Sequence, residues 1–169
     1  MDDARQLCTS LLDKIHEQIE GTEHLISLLP PDCLDWKPVV LGTWSVGVLL
    51  GHLLDCLAGF CAVLSAFEPQ RLAHFISLRE LSVNHRCPPD EAARRIAIYR
   101  AHIDEGFLQL GDADLGRRVP TVFVKQGESL LTLLLGNLEH LINHKHQLFT
   151  YLKVLGVGVT SQDLYSLRT

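Results

Sequence analysis

The apolar run over residues 44–67, WSVGVLLGHLLDCLAGFCAVLSAF, constrains this chain more than any other stretch. As a helix it is long enough to cross a bilayer. It also carries His52 and Asp55 near its middle. An Asp at the centre of a membrane helix costs roughly 2.5–3.5 kcal/mol on insertion scales. The run therefore reads as a helix buried on most of its faces inside a bundle, not as a span. Such a helix needs other helices around it, and its polar residues need partners.

The flanking segments supply those helices. Residues 3–29 place Leu7, Leu11, Leu12, Ile15, Ile19, Leu25, Ile26 and Leu29 at the i, i+3, i+4 spacing of an amphipathic helix, and Pro30-Pro31 stops it. Residues 32–42 form a connector. Thr43 or Ser45 offers an N-cap to the second helix, which runs to about Phe67. Residues 68–84 read as a partly helical crossover beginning at Pro69. Pro88, Pro89, Asp90 and Glu91 open a third helix that continues through Ile96, Tyr99, Ile103 and Phe107 to Gly111. Residues 119–124 are β-branched and aromatic, and Gln126-Gly127 follows as a turn, so a short strand or hairpin is expected there. The fourth helix starts at Glu128 or Ser129 and ends at Gly156, a glycine placed for a C-cap. Residues 163–169 form a polar tail. The fold class is all-α: a four-helix bundle with a long crossover between helices two and three and a short hairpin before helix four. It is expected to occupy residues 1–169 as a single domain, a length able to bury about 70% of the unfolded surface.

Composition removes several classes of function. The net charge of −5 lacks the basic footprint of a nucleic-acid binder. Cys8, Cys33, Cys56, Cys61 and Cys87 are odd in number and contain no CxxC pair, which favours a reducing cytoplasm over a disulfide framework. The opening MDDARQLCTS lacks the basic and apolar regions of a secretory signal. No GxGxxG, P-loop, GxSxG or HExxH pattern occurs.

Nine histidines are the unusual count. His140 and His144 are four apart, so they share one face of the fourth helix with Cβ atoms about 5–6 Å apart. A metal ion about 2.0–2.1 Å from each ring nitrogen bridges such a pair. Asn137, Gln147 and Tyr151 fall on the same face, while Leu130, Leu131, Leu133, Leu134, Leu135, Leu138 and Leu141 fill the rest. His52, flanked by Leu49, Leu50, Leu53 and Leu54, is the natural third donor. Three neutral imidazoles hold a divalent ion and leave positions open for water or substrate, whereas structural zinc sites are closed by four protein ligands. The three rings are expected to converge inside an apolar interior. Cys56, one turn past His52, is either a fourth ligand or a small buried thiol. Asp55 either orients a ligand or pairs with a Lys or Arg. Tyr151 either donates a proton to bound substrate or packs with its hydroxyl satisfied. His16, His24, His74, His85 and His102 read as surface residues, and His146 faces away from His144.

At these residues the sequence resembles the DinB/YfiT-like superfamily. GTWSVGVLLGH over residues 42–52 is similar to the family's G-x-W-S opening and helical His. EHLINHKHQLFTYLKVLG over residues 139–156 resembles its H-x-x-x-H-R-G-Q-x-x-x-Y-L-R-x-L-G ending, with Lys145-His146-Gln147 in place of R-G-Q. SQDLYSLR over residues 161–168 resembles its C-terminus. The family often has an acid further along the second helix; here the nearest is Asp55. The resemblance implies a divalent ion on His52, His140 and His144, often in a homodimer, and it includes thiol-dependent S-transferases and isomerases. The expected function is metal-dependent hydrolysis or thiol transfer on a small molecule. The ion is expected to be zinc or nickel, with iron or copper suited to the same donors. A low-molecular-weight thiol is the expected cosubstrate; nucleic acid and membrane are not expected partners. Two other readings stay open. One is a stress-related or sensor module that binds metal without turnover, its site closed by a fourth ligand. The other is a helical interaction protein whose histidines are structural core residues.

Overall fold

The structure, a computed structural model, describes residues 3–40, 42–120 and 124–165. A single 3-10 turn, Asp3–Arg5, leads into α1, Gln6–Ser27. The first amides of α1 have no intrahelical acceptor. Asp112, far along the chain, accepts from Leu7 N (2.9 Å) and Cys8 N (2.8 Å) and supplies the missing cap. The buried stripe Cys8, Leu11, Ile15, Ile19, Leu25 and Ile26 is the face that the spacing predicts.

Ser45 caps α2, Val46–Leu64, its hydroxyl oxygen accepting from Val48 N at 3.3 Å. α2 is apolar apart from His52 and Asp55, with a mean hydropathy of 2.0, and most of its surface is covered by the other helices. Leu49, Leu50, Leu53, Leu54 and Leu57 are at most 2% exposed. α2 packs against α4, Pro89–Leu108, and α5, Leu130–Val154. Both of those also pack against α1, so the four long helices close a ring of contacts.

The crossover is more ordered than the sequence suggests. It contains a full helix, α3, Pro69–Arg79, and a 3-10 turn, Ser82–Asn84. Phe75 is the one buried residue of α3, so the segment carries almost no apolar stripe for periodicity to detect. Asn84 ties the crossover down: its Nδ2 donates to the Leu78 carbonyl at 2.7 Å, and it also hydrogen-bonds the Tyr99 hydroxyl of α4. The backbone of residues 84–86 then lies directly on α2 at Gly51, where a Cβ would stand 2.6 Å from Arg86 N. This close approach sets the crossover beside His52.

After a 3-10 turn at Asp112–Gly116, β1, Arg118–Val119, pairs antiparallel with β2, Glu128–Ser129. The hairpin expected before the last long helix is present, though the strand is short; residues 121–123 of the expected segment lie outside the described residues. Gly156, at φ 83°, ends α5 in a Schellman pattern, with Val157 N on Leu152 O and Gly156 N on Lys153 O. The expected polar tail begins as a helical turn, α6, Ser161–Leu164, whose Leu164 is buried. Its residues 166–169 lie outside the described residues. Lys145 of α5, 3% exposed, donates to the Leu164 carbonyl at 2.9 Å and to Gln18 Oε1 at 2.7 Å.

Gly51→Ala is expected to cost about 1–3 kcal/mol, because the methyl meets backbone that cannot rotate away. Gly136→Ala, in an exposed turn of α5 with nothing within 4 Å, is expected to gain about 0.5–1 kcal/mol. Denaturant unfolding measures both; equal effects would contradict the packing described.

Candidate metal centre

α2 and α5 are both Leu-rich where they meet, and their polar residues gather in one patch. His52 on α2 and His140 and His144 on α5 each offer one nitrogen, and the three lie within 4.8 Å of one another. His52 Nε2 and His140 Nε2 are 3.0 Å apart. Tetrahedral donors about 2.0–2.1 Å from an ion stand about 3.3 Å from each other, so the His52–His140 pair is already at a metal-bridging separation and the His144 nitrogen lies within 4.8 Å of both. Among the described residues, these three form the one such donor cluster.

The depth differs from expectation. The rings converge, but not inside an oily interior: His52 and His144 are half-buried and His140 is exposed. The patch lies at the edge of the α2–α5 seam, where one side of the cluster opens to solvent. Trp44, just before α2, covers another side. Its ring stacks on His144 at 5.3 Å and 27° and meets His52 at 4.6 Å.

A chain of hydrogen bonds fixes His144. The Tyr151 hydroxyl donates to the Trp44 carbonyl at 3.0 Å, and a hydroxyl has one proton to give. Its oxygen must therefore accept from Gln147 Nε2, at 3.1 Å. That turns Gln147 Oε1 towards His144 Nδ1, 2.9 Å away, and requires Nδ1 to carry the ring proton. The Nε2 lone pair of His144 is left free. Metal-binding histidines are commonly oriented through their other ring nitrogen in this way.

The remaining expected residues divide. Asp55 pairs with an arginine: Arg79 Nε and Nη2 donate to its two oxygens at 2.6 and 3.0 Å. The pair adjoins the cluster, and Asp55 and Arg79 line a hollow of about 270 Å³ together with His52, Ile76, Glu80 and His85. Asn137 shares a helix face with His140 but turns onto Gly59 of α2, seven residues past His52; its Nδ2 is buried without a hydrogen-bond partner among the described residues. Cys56 is buried and stays outside the donor cluster, and burial pushes its thiol up to about 12. His16 is not a free surface residue, since it joins α1 to α4 through Asp104 at 2.6 Å. His146 is exposed, as expected. The sequence reading passed over Trp44 and Arg79 as members of the site. A larger hollow of about 440 Å³ lies between the end of α1 and the start of α4, and none of the cluster lines it.

The arrangement is a helical bundle with an open three-imidazole cluster on two of its helices. The DinB superfamily model matches residues 14–148, and the chain belongs to that superfamily. The crystal structure of a DinB-like protein from Bacillus subtilis has the same fold, with a TM-score of 0.63 at 17% identity over 87% of this chain and 92% of that one. No curated protein matches the chain.

Burial, then the neighbouring His144 and His140, lowers His52 to about 4; burial and His144 also lower His140. In the unfolded chain both take protons near 6.5. Between those values the unfolded state binds more protons, so these two histidines cost the metal-free fold stability as pH falls from about 6.5 towards 4 and cost it nothing above that window. Melting temperatures of chelator-treated protein at steps from pH 7.5 to pH 4 are expected to fall inside this window, and by less in His52→Gln. An identical profile in the variant would contradict the assignment.

Proposed function

We propose that this chain is a metal-dependent enzyme acting on a small molecule, with one divalent ion on His52, His140 and His144. The observation that carries the reading is the convergence of three imidazoles with no fourth protein ligand among the described residues and one ring open to solvent. An ion so held supplies Lewis acidity, which brings the pKa of a thiol or water towards neutrality and favours hydrolysis or thiol transfer. Zinc or nickel suits the donors, as do iron and copper.

The chain's own residues prepare the site. Burial keeps His52 and His140 neutral at physiological pH, so their lone pairs are available without a proton to displace. Tyr151 and Gln147 hold His144 in one tautomer and one orientation. Trp44 screens one side of the cluster and restricts approach to the side of His140 and the hollow. That hollow has room for a small molecule. With its hydroxyl given to the Trp44 carbonyl, Tyr151 is better suited to positioning than to proton donation.

A low-molecular-weight thiol as cosubstrate and a homodimer as the assembly belong to this proposal as what the family resemblance implies. Five free, buried cysteines support a cytoplasmic setting. A binding module without turnover would be served by a closed site, and Cys56 stands outside this one. Structural core histidines would be enclosed, and His140 is exposed.

Nickel titration of chelator-treated protein carrying no affinity tag is expected to saturate at one ion per chain and to quench Trp44 fluorescence. His140→Ala and His144→Ala are expected to lose this binding, and Tyr151→Phe to weaken it about 10–100-fold. Parent-like binding in both histidine variants would contradict the assignment.

A further inference from the structure

We propose that Arg79 binds a carboxylate of the substrate beside the three imidazoles, an inference that rests on the enzymatic reading above. Arg79 is the last residue of α3 and reaches back to Asp55 on α2. Its Nε and Nη2 hold the two oxygens of Asp55 at 2.6 and 3.0 Å, which occupies one edge of the planar guanidinium. A guanidinium has five N–H donors in a fixed fork. The second edge, Nη1 and the other hydrogen of Nη2, has no hydrogen-bond partner among the described residues. The side chain is 50% exposed and lines the same hollow as His52.

An arginine that only tied α3 to α2 would need no more than its Asp55 edge. This one is oriented in advance by Asp55, so a ligand meeting its free edge does not bear the cost of ordering a long side chain. The free edge matches two coplanar oxygens, the geometry of a carboxylate. Among the described residues, Arg79 is the one lysine or arginine that lines the hollow, which suits a single carboxylate better than a phosphate. The substrate class is therefore a small molecule whose reacting group faces the imidazoles and whose carboxylate reaches Arg79.

Cobalt-substituted protein tests this with 3-mercaptopropionate and its methyl ester, two thiols that differ in charge at one end. Thiolate bound to cobalt gives an intense absorption band, which reports binding of either probe. The parent is expected to prefer the acid over the ester by about tenfold or more, the worth of one charge-assisted hydrogen-bonded pair. Arg79→Gln is expected to bring the two affinities together while the ester binds as in the parent. The double variant Asp55→Asn, Arg79→Gln leaves no carboxylate unpaired, and it is expected to behave as Arg79→Gln does. A preference for the acid that survives in both variants, or none in the parent, would overturn the Arg79 assignment and leave the metal site standing. A parent that takes up no cobalt would overturn the enzymatic reading and this inference with it.

Discussion

The seam between α2 and α5 is the contact on which the site depends. Two Leu-rich helices bury their apolar faces against each other, and apolar burial at roughly 25 cal/mol per Å² fixes their register. Leu53, Leu134, Leu141 and Leu148 are at most 1% exposed. The three histidines of the seam stay out of that interior, where an unpaired polar group costs about 1–3 kcal/mol; Asn137, its Nδ2 buried and without a partner among the described residues, is the exception. The histidines are displaced to one edge of the seam, where the three imidazoles meet. The packing that excludes them is also what brings them together.

Around this edge, the crossover and the loop before α2 complete the site. Gly51 lets the crossover backbone lie on α2 one residue before His52. α3 then delivers Arg79 to Asp55. On the other side, Trp44 stacks on His144, and its carbonyl anchors the chain through Tyr151 and Gln147. His144 is thus held by the same residue from two directions, once through its ring and once through its Nδ1 hydrogen.

Much of this was legible in the sequence. His140 and His144 are placed on one face by helical spacing alone, and His52 stands out as a polar residue in an apolar helix. Gln147 and Tyr151 share the stripe and do form its hydrogen-bonded chain. Asn137 shows the limit of the same reasoning. Helical spacing gives an angle around the axis but not what stands opposite at each height, and opposite Asn137 stands Gly59. The depth of the cluster was likewise hidden, because a polar stripe looks the same at the centre of a bundle as at its edge. Arg79 lies 24 residues from Asp55 in a helix with one buried side chain, so its place depends on docking that no local pattern records. Trp44 precedes the helix whose site it covers, and its contact with His144 exists only in the folded chain.

The most direct test of the central claim is X-ray absorption spectroscopy of the zinc-loaded protein. The account predicts three imidazole nitrogens at about 2.0–2.1 Å with oxygen completing the shell. A sulfur neighbour at about 2.3 Å, or fewer than three imidazoles around the ion, would contradict it.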